Sequence, residues 1–316
     1  MQQQRHHWPP DEFRVIELHH MKLGHFLAYN CLGNAAMHAA LYPLALARTR
    51  ITAQPGRLEY SGFAHCLRSV LAHEGLRGLY AGAWTRAAHV INAALVGVTY
   101  ETVRASAEPL PAPARGAVAG GCAALASQAL LVPADVVTQH IMLLPMARLS
   151  PVAATVAMAP GAGWLGQAGA VIRWIRRRHG LAGFYKGGLW SLVLFLPNSA
   201  AMWSAYSAYC DWLYRWLDSP PRLAVQLTAA PLAGATAGLL TNPIDVLRLR
   251  VMLQADRGAG ARDALRRLWA EEGPAWLAKG LSARLAQSAL FSFLFVLYYE
   301  PAKRLALKDE FKGALL

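Results

Sequence analysis

A chain of 316 residues is long enough for one or two soluble domains, but 55% of it is hydrophobic and only 16% charged, against roughly 25% charged in soluble domains. Lys and Arg number 31 against 18 Asp and Glu, a net charge of +13. The bases fall in short clusters between apolar stretches, such as Arg173–Arg178 and Arg262–Arg267. That distribution excludes a nucleic-acid binder with one basic face and suits loops beside anionic lipid headgroups.

No window holds about 20 uninterrupted apolar residues; Gly, Pro and single charges break every one. Helices packed around a polar interior fit this pattern better than a lone lipid anchor. The start, MQQQRHHWPPDEFRVIEL, lacks the apolar core of a secretory signal, and Asp11, Glu12 and Glu17 argue against a transit peptide. Any organelle address is therefore expected within the mature chain. Cys31, Cys66, Cys122 and Cys210 form no CxxC pair and are expected to be buried, reduced thiols. His6, His7, His19 and His20 show no metal-site arrangement, and no metal or cofactor is expected. GxSxG, HExxH, P-loop and GxGxxG–strand patterns are absent, which disfavours an enzyme.

In chain order, an N-terminal extension (1–22) precedes three similar units, 23–107, 112–218 and 222–306, and a tail, 307–316. Each unit opens with an apolar run ending near a proline: LYPLALARTRI at 41–51, VPADVVTQHIM at 132–142 and NPIDVLRLRVM at 242–252. A second landmark follows as EGLRGLYAG (74–82), HGLAGFYKG (179–187) and EGPAWLAKG (272–280). A third closes two units, YETVR at 100–104 and YEPAK at 299–303, with YSAYC at 206–210 in the middle one. Ordered landmarks recurring in register mark an internal repeat.

Each unit reads as long helix, amphipathic helix, long helix. The long helices are predicted near 24–50 and 83–105, 115–143 and 188–213, 224–252 and 281–304. Pro43, Pro133 and Pro243 are expected to kink the first helix of each unit. Gly116 with Gly120 and Gly234 with Gly238 are spaced for close helix approach. The segments 61–73, 168–178 and 262–272 alternate apolar and basic residues, as at a membrane interface. The stretch 144–166 reads as a loop.

These landmarks resemble the signature of the mitochondrial carrier family over roughly residues 15–305: Pro-x-acid-x-x-base, an amphipathic segment, then aromatic-acid-x-x-base. The resemblance implies an all-α membrane protein of six transmembrane helices in three pseudo-threefold repeats, each with a short amphipathic matrix-side helix. It implies a transporter in the mitochondrial inner membrane, a single chain enclosing one path, with cardiolipin a plausible lipid partner. Within the family, VIELHHMKLGHF (15–26), YPLALARTR (42–50), LPNSAAMW (196–203) and EEGPAWLAKGLSARL (271–285) are most similar to carriers of branched-chain amino acids.

The resemblance also implies roles for charges that a membrane interior otherwise disfavours. In the family the acid of each proline motif meets the base of the next, closing the matrix side. Here Ala45 replaces the first acid and Thr138 the second base, which leaves Arg48, Asp135, Asp245 and Arg248. Asp135 would meet Arg248, and Asp245 would meet Arg48; the missing charges would have been each other's partners. Alternatively, Asp245 and Arg248, three apart, pair locally, leaving Arg48 and Asp135 unexplained. On the cytoplasmic side Glu101, Arg104, Glu300 and Lys303 remain, with Glu300–Arg104 the one complete bridge; simple interfacial charges are the alternative.

Family solute contacts fall about two turns past the second-landmark glycine. That count gives His89 (or Ala88), Leu194 with Phe195, and Gln287 with Ser288. Uncharged contact points suit a small zwitterion with a hydrocarbon side chain. Arg86 and Arg284, one turn lower, either hold a carboxylate or brace helix ends. Asn198, after Pro197, either faces the solute or serves the backbone. Carriage of another small metabolite, and a non-transporting membrane adaptor, remain as alternatives.

Overall fold

In this computed structural model the described residues are 22–54, 60–107, 112–146, 152, 164–217, 220–254 and 260–306. The N-terminal extension (save Lys22), the tail 307–316 and most of the expected loop 144–166 lie outside them. Among the described residues all regular structure is helical: α1 (Leu23–Ala53), α2 (Phe63–Leu79), α3 (Ala87–Ser106), α4 (Ala112–Met142), α5 (Trp164–His179), α6 (Gly188–Trp216), α7 (Arg222–Leu253), α8 (Ala261–Glu272) and α9 (Leu281–Leu305).

The six long helices close into a ring in the order α1, α3, α4, α6, α7, α9, with α9 back against α1. The backbone N–H of Lys22 donates to the Ala306 carbonyl at 2.7 Å, joining the two ends of the chain's helical part. Length and composition alone mark Val118–Met142, Leu223–Leu253 and Leu281–Tyr299 as able to cross a membrane. Large apolar side chains such as Leu32, Ile91, Val98, Leu125 and Leu196 stand exposed, as lipid requires and water does not tolerate in quantity.

The helices run unbroken through Pro43, Pro133 and Pro243. The short helices α2, α5 and α8 each lie against the long helix that precedes them, as a stripe of apolar residues on a basic helix dictates. Their apolar faces form three clusters that interlock. Met142 of α4 joins the cluster of Tyr42, Leu46, Cys66 and Val70, and Met252 of α7 joins that of Val136, Val171 and Ile175. Helix α2 runs longer than expected, although its backbone breaks at Gly75. Helix α5 begins at Trp164, inside the expected loop, and Val152 from that stretch is fully buried in the second cluster.

Glycines with positive φ recur twice per unit: Gly75 and Gly82, Gly180 and Gly187, Gly273 and Gly280. Two of them show why. A Cβ on Gly187 (φ +82°) would stand 2.7 Å from Cγ of Met252, and one on Gly280 (φ +65°) would meet Oγ1 of Thr52 at 2.5 Å. Each glycine therefore abuts the end of the first helix of another repeat. The expected close approach at Gly234 and Gly238 is present, against Ser288 and Ser292 of α9. At Gly120 nothing lies within 4 Å, so no neighbouring helix packs closely there; the Gly116 side of that pair lies outside the described side chains. All four cysteines are free, but only Cys66 and Cys210 are buried; Cys31 and Cys122 are partly exposed. That corrects the expectation of four buried thiols, because the latter two sit on helix faces without a neighbour to cover them fully.

Replacing Gly187 with Ala is expected to cost about 2–4 kcal/mol, the sum of a left-handed backbone and an overpacked contact. Thermal unfolding in detergent would show it as a lowered midpoint. Burial pushes the Cys66 thiol up to about 12, so it carries almost no thiolate at neutral pH. A maleimide at pH 8 is expected to spare Cys66 in the folded protein and to label it after denaturation.

Candidate functional site

The ring encloses a cavity of about 380 Å³, lined by three stripes of residues one helical turn apart. Helix α1 contributes Asn34, His38 and Leu41; α3 and the 3₁₀ turn before it contribute Arg86, His89 and Asn92; α9 contributes Gln287, Phe291 and Phe295. Since α1 runs opposite to α3 and α9, Ala45, Arg86 and Gln287 form the floor. His38, His89 and Phe291 form the middle, with the two imidazoles 5.1 Å apart. Asn34, Asn92 and Phe295 stand above them. A second, apolar cavity of about 540 Å³ lies behind Phe291 and Phe295, between α9 and the Met202, Trp203 and Tyr206 face of α6.

Under the floor, charged side chains from different repeats converge around a small polar space of about 110 Å³. Nη2 of Arg248 donates to Asp135 Oδ2 at 2.9 Å, joining α7 to α4. Nη2 of Arg48 donates to Asp245 Oδ2, joining α1 to α7. The structure thus brings together both interhelical pairs that the family register implies and does not form the local Asp245–Arg248 pair. Ser191 accepts from Arg248 Nε at 2.7 Å, and Gln287 accepts from Arg48 Nη1 at 3.0 Å.

Between α1 and α4, which carry Ala45 and Thr138, the link is a neutral hydrogen bond. Thr49 donates to Gln139 at 2.8 Å across the two helices, while the Thr138 hydroxyl meets that of Thr85, on the 3₁₀ turn before α3, at 2.5 Å. The triangle α1–α4–α7 is therefore closed by two ionic sides and one neutral side. Deleting both ions of a buried pair is far cheaper than orphaning one.

Arg284 is buried and committed: Nη1 lies 2.8 Å from Asp245 and Nη2 donates to Thr241 at 2.5 Å. Asp245 is thus shared by two arginines. Arg86 lies over the Tyr42 ring, with Nη1 3.0 Å from Nε2 of His89 and 3.8 Å from Asp135. His89 Nε2 also stands 3.2 Å from Asp135 Oδ1. That single nitrogen cannot accept from Arg86 and donate to Asp135 at once.

Of the other expected contacts, Gln287 and His89 line the cavity, and His89 rather than Ala88 does so. Ser288 turns to α7, its Oγ 3.2 Å from where a Cβ on Gly238 would stand. Asn198 accepts a hydrogen bond from Thr241 at 3.0 Å. Leu194 and Phe195 line none of the three cavities, and Phe195 is 43% exposed. At the opposite end Arg104 is exposed and stacks over Tyr100; the side chains of Glu101, Glu300 and Lys303 lie outside those described.

A further set of residues recurs around the short-helix end. Lys186 donates to the Gln254 carbonyl, 2.5 Å away at the end of α7. Lys279 does the same for the Gln54 carbonyl at the end of α1, and Arg50 donates to Met142 O at the end of α4, at 3.0 Å. Each base thus meets the last carbonyls of another repeat's long helix, where orphan acceptors and the dipole favour a cation. Arg50 is fully buried against Glu74, while Arg250 and Lys279 share Glu272. Desolvation lowers the Lys279 ammonium below its ordinary range, opposed by its bond to Glu272. The repeated Lys-Gly of the second landmark is the sequence signal for these bases. The middle unit replaces the acid–base pair with His140 and His179 flanking Trp174, at 5.8 and 5.6 Å.

A helical ring of three repeats, with interhelical ion pairs under a cavity that combines polar and apolar side chains, defines a membrane transporter of small solutes. The comparisons agree: the model of the mitochondrial carrier protein family matches residues 20–108, 111–216 and 219–310. Solute carrier family 25 member 44 is 34% identical over 302 residues in both Mus musculus and Homo sapiens, covering 94% of this chain and 96% of the relative. The electrogenic aspartate/glutamate antiporter SLC25A12, mitochondrial, of Mus musculus is 28% identical over 282 residues, 84% of this chain and 39% of that one. The chain belongs to the mitochondrial carrier family.

Replacing Asp245 with Asn is expected to destabilise the protein by about 3–5 kcal/mol, because two arginines then face each other without a counter-charge. Replacing Arg48 with Gln should cost less, since Arg284 stays on Asp245. Thermal unfolding of the two variants in detergent checks the order.

Proposed function

We propose that this carrier moves neutral branched-chain amino acids across the mitochondrial inner membrane by alternating access. The observation that carries the reading is the composition of the central cavity. Its wall at Phe291, Phe295 and Leu41 is apolar, its middle carries the imidazoles of His38 and His89, and its one lining arginine, Arg86, lies at the floor. A nucleotide or dicarboxylate calls for several fixed cations on the wall itself, for charge-assisted bonds to each anionic group. A zwitterion with a hydrocarbon side chain needs one anionic contact, one hydrogen-bonded contact and an apolar surface. The likeness of LPNSAAMW and the other segments to carriers of these amino acids supports the same choice.

The cycle follows from the charges. Arg48–Asp245 and Arg248–Asp135 act as the matrix gate, with Glu101, Arg104, Glu300 and Lys303 as the cytoplasmic one. Solute binding offsets the cost of breaking one set while the other forms, so the central site faces the two sides in turn. With the α1–α4 side neutral, the matrix gate holds two ionic bridges, and its opening rehydrates fewer charges. Pro43, Pro133 and Pro243 supply the points at which the long helices flex. Anionic lipid, cardiolipin included, fits the basic short-helix end, and one chain suffices for the path.

Purified protein in liposomes is expected to take up labelled leucine, valine and isoleucine with saturation. Arg48→Gln and Asp135→Asn are expected to lower flux at least several-fold. Saturable uptake of a nucleotide or dicarboxylate with none of leucine would reject this assignment, and unchanged binding of a protein partner by flux-dead variants would favour an adaptor.

A further inference from the structure

The cavity contains two polar groups that its own walls leave unused. Oδ1 of Asn34 on α1 and Oδ1 of Asn92 on α3 are both shielded from water, and neither has a hydrogen-bond partner. Both side chains line the same cavity, above the His38–His89 layer. Asn30, one turn before Asn34, is by contrast engaged by the Tyr298 hydroxyl at 3.4 Å. Buried carbonyl oxygens without donors are uncommon and costly, and two on facing helices of one cavity call for a donor that arrives from outside the fold. Rotation about the last side-chain bond, which is soft, turns either oxygen toward such a donor.

Electrostatics at the floor decides what that donor is. Arg48, Arg86, Arg248 and Arg284 are gathered there with only Asp135 and Asp245 among the described side chains. Four guanidinium groups against two carboxylates leave the floor net positive in a site walled by low-dielectric helices. A zwitterion entering this field aligns its carboxylate toward Arg86 and its ammonium away from the arginines. Away from the floor along α1 and α3, the acceptors met are the Asn34 and Asn92 carboxamides.

Resting on the amino acid reading above, we propose that Asn34 and Asn92 form an ammonium clamp, which receives the α-amino group while Arg86 draws the carboxylate. The hydrocarbon side chain then lies against Phe291 and Phe295. Discrimination of amino acids from their deaminated analogues resides in this carboxamide pair, not at the charged floor. An uncharged clamp also explains how a cation is held in a cavity with net positive charge without a second carboxylate competing for Arg86, which Asp135 already faces at 3.8 Å.

The test uses the full chain in liposomes, with labelled leucine uptake as the readout. Competitors are 4-methylpentanoate, which lacks the ammonium, and 3-methylbutylamine, which lacks the carboxylate. In the Asn34→Leu/Asn92→Leu variant, the leucine KM is expected to rise roughly tenfold or more, the loss typical of a bond to a charged group, while inhibition by 4-methylpentanoate stays unchanged. Asn34→Asp keeps the shape and adds charge; it is expected to strengthen inhibition by 3-methylbutylamine roughly tenfold. Equal weakening of leucine and 4-methylpentanoate, or no gain for the amine in Asn34→Asp, would overturn the clamp. Wild-type protein that carries no leucine would instead remove the amino acid reading itself, so the two failures are told apart by the unmutated carrier.

Discussion

The fold depends on ions largely withdrawn from water, each of which finds its partner on another repeat. Asp135 meets Arg248 from α7, and Asp245 meets Arg48 from α1. Neither pair lies within one helix or one unit. A charge inside a membrane protein is tolerated only with such a partner, and the requirement draws α1, α4 and α7 to one point. The floor of the cavity, the small polar space beneath it and the closure of the ring at that end are consequences of the same pairing. Between α1 and α4 the link is instead neutral, a hydrogen bond from Thr49 to Gln139.

Around this centre the three units repeat a second rule. The last carbonyls of each unit's first long helix are met by a base from another unit: Arg50 at Met142, Lys186 at Gln254, Lys279 at Gln54. In the first unit the landmark lysine is replaced by Ala81, and the link passes to Arg50, while Tyr42 donates to the Ala81 carbonyl. The pseudo-threefold symmetry is thus one of physical tasks more than of identical residues. The middle unit departs furthest, with two imidazoles and an indole where the others hold an acid–base pair.

The long helices were legible because prolines and small residues recur at fixed intervals, and their bounds follow closely. The partners of Asp135 and Asp245 were legible too, given the register and the resemblance to the family, since a repeat fixes which residues face inward. Counting residues along α6 and α9 served less well. Neighbouring residues on a helix diverge by about 100°, so Gln287 and Ser288 cannot both face the cavity, and a 3₁₀ turn before the second long helix of each unit shifts the phase of any count. Asn34, His38 and Asn92 escaped notice because α1 carries no landmark above Pro43 and neutral amides leave no charge signature. The lysines of the second landmark stood in plain sight, but their targets are backbone carbonyls, which a sequence pattern does not display.

The glycines at 187 and 280 have a broader consequence. At each of these points one repeat touches another through a hydrogen atom, with no room for a longer contact. Spacing at the rim is therefore dictated by backbone against neighbour and cannot be retuned by exchanging one side chain for another of similar size. A carrier built this way can diversify its interior, residue by residue, for new cargo while its rim keeps a constant gauge.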